Sequence, residues 1–245
     1  MKTAFKLILL IGIAGYLVFA VSKFAHHTEE VVCEGVSVEI CDSAESMFIT
    51  ADDVLKILSK HKISPKGQQL CHIDLPQIEK LVKENPYIAE ADCFYTGQGL
   101  LRIEVTPLCP ILHVIAQNGE DYYLDNSGSI MPVGDMNIDL CVATGNISQK
   151  FAKETLLPLA QYIKNHHFWN LQTEQIHVTE TNEIELSPRI GQHLILLGRA
   201  ERFEEKLNRV HQFYKNGLPK VGWNKYKAIN AAFDGQIVCI KNDKK

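Results

Sequence analysis

Residues 85–107 read NPYIAEADCFYTGQGLLRIEVTP, and the fold predicted for the N-terminal half of the chain is built on this segment. Two segments within it, Ala89–Tyr95 and Leu100–Thr106, alternate apolar with polar residues, which predicts half-buried β-strands. The link Thr96–Gly99 between them is polar and glycine-rich, as is typical of a hairpin turn. We therefore expect two antiparallel strands, with Asn85 and Pro86 ending the element before them.

The residues before this hairpin predict one strand and two helices. Val36–Ile40 alternates as VSVEI, a short strand pattern. Thr50 then precedes a helical pattern with Asp53 at its third position, which is the arrangement of a capping box. Asp74 is a second cap candidate, with Pro76 in the first turn, where a missing N–H is tolerated. The order β-α-α-β-β predicts a three-stranded sheet with two helices on one face.

The second half of the chain predicts a mixed α/β domain with a largely antiparallel sheet, which makes the fold class α+β. Turn residues, among them Asp234-Gly235, separate several strands. Pro158 lies inside the first of two long helices, where we expect a kink or a restart. The predicted elements are strand Ile111–Ala116, a hairpin within Tyr122–Val133, strand Ile138–Ala143, a helix from Ser148 to His167, strands Gln175–Val178, Glu183–Ser187 and His193–Leu197, helix Ala200–Tyr214, and strands Tyr226–Phe233 and Gln236–Ile240.

The first 25 residues predict a single transmembrane helix. Residues 7–22, LILLIGIAGYLVFAVS, carry no charge, and the span 4–25 reaches the roughly 20 residues that a helix needs to cross a bilayer. Lys2 and Lys6 precede the uncharged run, so we expect the N-terminus in the cytoplasm and the rest of the chain outside it. The alternative is a cleaved signal peptide, for which Val18-Phe19-Ala20 offers small residues near a cleavage point.

Composition excludes several classes of protein. Apolar residues make up 46% of the 245 positions and charged residues 22%, as in globular chains. The net charge of −4 offers no basic excess for nucleic acid. Seven cysteines are an odd number, so at least one thiol is unpaired unless it bridges two chains. Cys33 and Cys41 are close enough in sequence to pair, whereas Cys93 and Cys239 lie in apolar strand patterns as small hydrophobic residues.

No sequence motif indicates an active site, a cofactor or a metal. The sequence contains neither GxSxG nor HExxH, and its ten histidines are scattered. His166 and His167 are adjacent and point in different directions on a helix, so we expect them to interact with the helix C-terminus. The DNSG at 125–128 lacks the alternating oxygen ligands of a calcium loop and predicts a turn. We therefore expect no enzyme, no cofactor and no metal site.

The N-terminal pattern resembles a POTRA domain, and the order of the whole chain resembles the bacterial cell-division family FtsQ, called DivIB in other bacteria. The POTRA-like positions are Leu70–Asp74, Ile78-Glu79, Leu81, Asn85–Ile88 before Ala91, and Leu101–Pro107. In the second half, the similar positions are Tyr123–Gly128, which resembles a hairpin of that family, and Ile195–Arg199, Glu205–Leu207, Arg209 and Phe213-Tyr214, which resemble its C-terminal half.

The resemblance implies a domain organisation and a function. The start and anchor are residues 1–25, the POTRA-like domain is 26–107, and the FtsQ-type β domain is 108–245. Proteins of this family are non-enzymatic, membrane-anchored scaffolds of the divisome. They bind FtsB in complex with FtsL outside the cytoplasm and help to regulate septal peptidoglycan synthesis by FtsW and FtsI. The implied location is the inner membrane, single-pass, with the bulk of the chain periplasmic and enriched at the division septum.

The resemblance also places the partner contact at the end of the chain. A terminal hairpin can put its last strand on a sheet edge, which is a template for another chain. The candidate partner-binding residues are Phe233, Gln236, Ile237, Val238, Cys239 and Ile240, with Arg199 and Arg202 as neighbours that can pair with acidic groups. The alternative for Ile237, Val238 and Ile240 is ordinary sheet core.

Other functions stay open at the level of sequence. One is a POTRA-containing protein of envelope assembly or transport, although only one POTRA-like unit is present. Another is a generic anchored extracytoplasmic binding domain, which makes no complex with septal proteins. An exported enzyme is disfavoured because the sequence lacks the motifs named above.

Overall fold

The computed structural model describes residues 10–20, 31–41, 48–134 and 138–242. By its contacts the chain divides into two compact units, Met1–Pro107 and Leu108–Lys245, called here the N-terminal unit and the C-terminal unit. Residues 10–20 are helical, and the remainder of the anchor predicted at 4–25 lies outside the described residues. Within the described part of the chain, no helix combines the length and apolar character that crossing a membrane requires.

The N-terminal unit has the predicted β-α-α-β-β order. Its elements are β1 Gly35–Ile40, helix Ala51–Lys60, a 3-10 turn Leu70–His72, helix Leu75–Lys83, β2 Ile88–Tyr95 and β3 Leu100–Pro107. The strands form one sheet in the order β1-β3-β2, with β1 parallel and β2 antiparallel to the central β3. The hairpin that residues 85–107 predict is therefore confirmed.

The two helices that pack with this sheet begin at their predicted caps. The hydroxyl of Thr50 accepts from the backbone N–H of Asp53, and the carboxylate of Asp53 accepts the N–H of Thr50. Asp74 caps the second helix by accepting the N–H of Gln77. The helices and the sheet share one core, whose most buried members include Val54, Ile78, Val82, Ala91, Leu101, Ile103 and Val105.

Cys33 and Cys41, close in sequence, do not form a disulfide. Both are free thiols, and they flank β1 at opposite ends. Because a strand rises about 3.3 Å per residue, the extended chain between them holds them roughly 20 Å or more apart. Cys93 is buried as predicted, and burial raises the pKa of its thiol to about 12, with Glu79 and Asp92 adding to the shift.

The C-terminal unit is a nine-stranded sheet with helices inserted between strands. Its strands are β4 Pro110–Ala116, β5 Asp121–Asp125, β6 Ile130–Pro132, β7 Cys141–Gly145, β8 Thr173–Val178, β9 Ile184–Pro188, β10 Leu194–Gly198, β11 Tyr226–Asn230 and β12 Val238–Lys241. Its helices are Gln149–Phe151, Leu157–Asn165, His167–Gln172, Phe203–Asn216 and Leu218–Val221, with a π-helical turn at Ala152–Leu156. The strand order is β12-β11-β10-β9-β8-β7-β4-β5-β6.

The sheet is mixed, so the expectation of a largely antiparallel sheet is confirmed only in part. β4 and β7, β7 and β8, and β10 and β11 are parallel neighbours, while the other five neighbouring pairs are antiparallel. Parallel neighbours need a crossover connection. Two of the crossovers are helical: segment 149–172 leads from β7 to β8, and helix Phe203–Asn216 leads from β10 to β11.

One row of side chains crosses the sheet on the face that the helices cover. Its members lie opposite one another from strand to strand and are Cys239, Ile229, Ile195, Leu186, Ile176, Ala143 and Val114. The helices contribute to the same core with Leu156, Leu159, Trp169, Leu207 and Tyr214. Cys239 is the member of this row that belongs to β12, and its side chain packs that strand against the core.

The helix expected from Ser148 restarts at Pro158, as predicted. Ser148 caps the first turn by accepting the N–H of Phe151, a π-helical turn follows, and helix Leu157–Asn165 then begins with Pro158 in its first turn. His166 lies at the C-terminal end of this helix as predicted, and its backbone N–H donates to the carbonyls of Tyr162 and Ile163. Its ring accepts the N–H of Trp169 at 3.4 Å and so caps the next helix, because the chain turns at His166 and the imidazole replaces an N-cap side chain.

Candidate functional site

Strand β12 is one edge of the nine-stranded sheet. On its inner side, Val238 lies opposite Asn230 and Ile240 lies opposite Ala228 of β11. On its outer side, β12 pairs with no strand of the described chain. An edge strand presents unpaired backbone N–H and C=O groups, so another extended chain can add to the sheet at this position.

The side chains of β12 and of the residue before it separate into two sets. Ile237 and Cys239 are partly buried and pack against the core under the helices. Val238 and Ile240 point to the opposite face of the sheet and are 41% and 40% exposed. One face of the predicted partner-binding strand therefore packs against the core, and the other face is exposed.

The open face beside β12 is apolar. Ile240 lies opposite Ala228, which in turn lies opposite Leu194 of β10. Leu194 is exposed and Leu196 is half-buried on the same strand. We call Leu194, Leu196, Val238 and Ile240 the open-face patch. A strand added to β12 can place side chains against this patch and cover part of it.

Cys239 behaves as a packing residue. It lies opposite Ile229 on the core side of the sheet, and burial raises the pKa of its thiol. The thiol is therefore protonated and neutral at physiological pH, which suits a small hydrophobic residue.

β11 and β12 form the predicted hairpin with a turn at Asp234-Gly235, but the loop 231–237 is longer than the sequence predicts. β11 ends at Asn230, three residues earlier than predicted, and β12 begins at Val238, two residues later than predicted.

Hydrogen bonds of the loop backbone explain these boundaries. The N–H of Ala231 donates to the carbonyl of Leu196 at 2.9 Å, so the chain after β11 follows β10 for one more residue. The N–H of Ala232 donates to the side-chain oxygen of Asn230 at 2.9 Å. The guanidinium of Arg209 donates hydrogen bonds to two carbonyls of the same loop, those of Ala231 and Phe233. These partners replace the bonds that a tight hairpin would have made.

Phe233 and Gln236, two predicted site residues, lie in this loop and both face solvent. The ring of Phe233 is 48% exposed, which is high for a large apolar side chain. Phe233 lies on the wall of a shallow cavity of about 430 Å³, lined also by Gly198, Arg199, Glu201, Arg202, Lys206, Ala232, Asp234 and Glu183.

Arg202 and Arg199 border the cavity with different partners. Arg202 donates to the carboxylate of Asp234, and this hydrogen bond raises the pKa of Arg202 and lowers that of Asp234. Both side chains are solvent-exposed, so the ion pair contributes little to stability. Arg199 has an exposed side chain, and its backbone carbonyl accepts from Lys206.

Lys206 and Arg209 contact the site but were not among the candidate partner-binding residues, although both lie in the stretch that carries the family resemblance. They lie on helix Phe203–Asn216, three residues apart on the side that faces β10 and the loop 231–237. In the sequence they belong to a charged helix pattern, which is typical of a solvated surface. Only the acceptors identify their role, and those acceptors are backbone carbonyls distant in sequence.

The predicted site residues thus come together around one edge of the sheet. Phe233, Val238, Ile240, Arg199 and Arg202 are accessible, while Ile237 and Cys239 serve the core. Among the residues that the structure describes, no three His, Cys, Asp or Glu side chains are grouped to hold a metal ion. The arrangement offers a surface for association.

Comparison with protein-family models covers both units. Residues 109–240 match the model described as FtsQ/DivIB, C-terminal related, and residues 31–106 match the POTRA-like domain. The first match takes in β4 through most of β12, with the open-face patch and the loop 231–237. No curated protein matches the chain.

Proposed function

The chain belongs to the FtsQ/DivIB family, and we propose that it is a membrane-anchored divisome scaffold that binds FtsB and FtsL outside the cytoplasm and helps to regulate septal peptidoglycan synthesis. The family is one of cell-division scaffolds without enzymatic activity. The proposal extends this to particular partners, to a particular edge of the sheet and to a location in the cell.

The open outer side of β12 is the observation that carries the proposal. An extended segment of FtsB adds to this edge as a tenth strand, and its main chain supplies hydrogen bonds that do not depend on sequence. Specificity comes from side chains that contact the open-face patch and the ring of Phe233. FtsL accompanies FtsB, and FtsW and FtsI act downstream of the assembled complex.

In the proposed complex, apolar contacts contribute more to the binding affinity than charged contacts do. Val238, Ile240 and Phe233 each retain a large exposed apolar surface, and covering such a surface contributes about 25 cal/mol per Å². Arg202 already pairs with Asp234 in solvent, and exposed ion pairs contribute about 0–1 kcal/mol. We therefore assign most of the affinity to the strand and the aromatic ring, and a role in orientation to the arginines.

The N-terminal segment is the proposed anchor. The helix at 10–20 lies inside the uncharged run 7–22, and its apolar side chains, among them Leu10, Ile11 and Val18, are exposed in the isolated chain. Exposed apolar residues at these positions support insertion of the span 4–25 in a bilayer. The lysines before the run support a cytoplasmic N-terminus and a periplasmic bulk. Enrichment at the division septum is part of the proposal because the family is one of cell-division scaffolds.

The test of the partner site is a binding measurement on matched variants of residues 26–245. The ligand is the extracytoplasmic pair of FtsB and FtsL from the same cell. Ile240→Asp places a carboxylate on the open face at the edge, where strand addition buries it. We expect it to weaken binding at least about tenfold, or ~1.4 kcal/mol.

Ile115→Asp is the control for this substitution. Ile115 is 42% exposed, against 40% for Ile240, but it lies on the interior strand β4. It should leave binding unchanged, and circular dichroism checks that both variants are folded. Equal binding by wild type and Ile240→Asp would move the interface away from β12. No wild-type binding up to roughly 100 µM would remove FtsB and FtsL as partners.

A further inference from the structure

Two cations on one helix hold the backbone next to the partner-binding edge, and we propose that Lys206 and Arg209 are positioning residues for that edge. We call these two side chains and the carbonyls of Leu197, Arg199, Ala231 and Phe233 the carbonyl clamp. Its consequence for binding rests on the proposed function, whereas its effect on the loop 231–237 does not.

Lys206 holds the end of β10. Its Nζ donates to the carbonyl of Leu197 at 3.1 Å and to that of Arg199 at 2.7 Å. The side chain is buried, at 6% exposure, and burial lowers the pKa of its ammonium group. A lysine this buried needs hydrogen-bond partners to retain its charge, and here the partners are the carbonyls where the strand stops.

Arg209 holds the loop between β11 and β12. Its Nη2 donates to the carbonyl of Ala231 at 3.1 Å and to that of Phe233 at 3.0 Å. These carbonyls belong to residues that the sequence predicts as strand. By binding them, Arg209 keeps the loop open in the shape that exposes the ring of Phe233.

The two held segments also touch each other. Gly198, at the end of β10, has a φ of +68°, and a Cβ built on it would lie 2.8 Å from the Cβ of Ala232 in the loop. The N–H of Ala231 donates to the carbonyl of Leu196 at 2.9 Å. Helix, strand end and loop therefore form one unit, and Lys206 and Arg209 are its links to the helix.

A fixed loop favours binding because it is ordered before the partner arrives. Ordering a mobile segment on association lowers the affinity. The loop 231–237 leads directly into β12, so its mobility is also the mobility of the start of the edge strand. The carbonyl clamp thus gives the edge a single shape that an incoming strand can recognise.

The test compares amide hydrogen exchange and partner binding in the full chain. Arg209→Met and Lys206→Met keep apolar stems of similar length but remove the donors, and Arg209→Lys keeps the charge without the planar fork. Lys215→Met is the control, since Lys215 is an exposed cation on the same helix. Exchange is followed for the amides of Ala231 and Ala232, with β3 of the N-terminal unit as internal reference.

We expect the amides of Ala231 and Ala232 to exchange at least about tenfold faster in Arg209→Met and Lys206→Met, with β3 and Lys215→Met unchanged. Arg209→Lys should not restore protection. Binding of the FtsB and FtsL pair should weaken about fivefold in the two methionine variants while their Tm stays close to that of wild type.

Unchanged exchange at both amides in both folded methionine variants would overturn the clamp. Faster exchange with undiminished partner binding would overturn its role as a positioning device. Faster exchange in a protein whose wild type does not bind FtsB and FtsL would leave the clamp standing and overturn the proposed function, so the two failures are distinguishable.

Discussion

His193 is a buried titratable residue whose protonation opposes folding. It is 2% exposed, its Nε2 lies 2.5 Å from the hydroxyl oxygen of Tyr214, and its Nδ1 has no hydrogen-bond partner among the described residues. Burial lowers the pKa of His193 below its usual value of 6.5 and raises that of Tyr214. The imidazole is therefore neutral in the folded protein at pH 7, and adding a proton creates a buried charge.

The stability of the C-terminal unit should fall as pH falls below about 6.5. Between the folded pKa and 6.5 the unfolded chain binds more protons than the folded one, so the stabilisation present at higher pH is lost progressively on acidification. His211, whose pKa is lowered by burial and by His166 and Lys215, acts in the same direction.

His193→Gln should reduce this slope when the free energy of unfolding is measured in urea between pH 7 and pH 5. His72→Gln is the control, because His72 is exposed in the N-terminal unit. A slope that His193→Gln leaves unchanged would show that other groups set the acid sensitivity.

In the N-terminal unit, a few neighbouring residues determine the position at which a helix begins. Thr50 and Asp53 exchange two backbone-to-side-chain hydrogen bonds, and a third joins the hydroxyl of Thr50 to the carboxylate at 2.6 Å. This contact is the main cause that lowers the pKa of Asp53. The cap fixes where helix Ala51–Lys60 begins, and hence which residues face the core.

Thr50→Ala should reduce the free energy of unfolding of the N-terminal unit by about 1 kcal/mol, because one N–H of the first turn loses its acceptor. Ser59→Ala, in the last turn of the same helix, should change it by less than about 0.5 kcal/mol. Urea denaturation of the two variants measures the difference. Equal effects would mean that tertiary packing rather than the cap holds the helix start.

The described chain has two separate hydrophobic cores, and both are formed by residues that come after the proposed anchor in the sequence. No buried residue of the described chain belongs to both core clusters, so each unit is stabilised by its own apolar contacts. Under the proposed function, the anchor ties these units to the membrane, where recruitment raises the local concentration of the partners. In that proposal the regulation works through geometry rather than through chemistry at an active site.

Membrane attachment is tested on the full chain. With residues 4–25 as an uncleaved anchor, the protein should stay in the membrane pellet after alkaline carbonate washing, and protease added to spheroplasts should digest residues beyond 26. A version starting at residue 26 without the anchor should be released by the wash. Release of a wild-type chain that has lost its first 20 residues or so would favour the signal-peptide alternative.

The sequence alone determined the local features and their order. The hairpin in 85–107, the caps at Thr50 and Asp74 and the restart at Pro158 each depend on residues within a few positions of one another. The resemblance to the FtsQ family also lies in this order, and the family models agree with it. Features of this kind can be predicted from the sequence because the interacting groups are neighbours in the chain.

Strand pairing and the contacts that hold the candidate site depend on groups that are distant in the sequence, so they are known only from the folded structure. Parallel pairing of β10 with β11 requires the crossover that helix Phe203–Asn216 provides, and the early end of β11 depends on the carbonyls that Arg209 binds. The folded structure also separated Val238 and Ile240, which are open, from Ile237 and Cys239, which pack in the core. Backbone acceptors have no sequence signature, and distant strands meet only when the whole sheet forms.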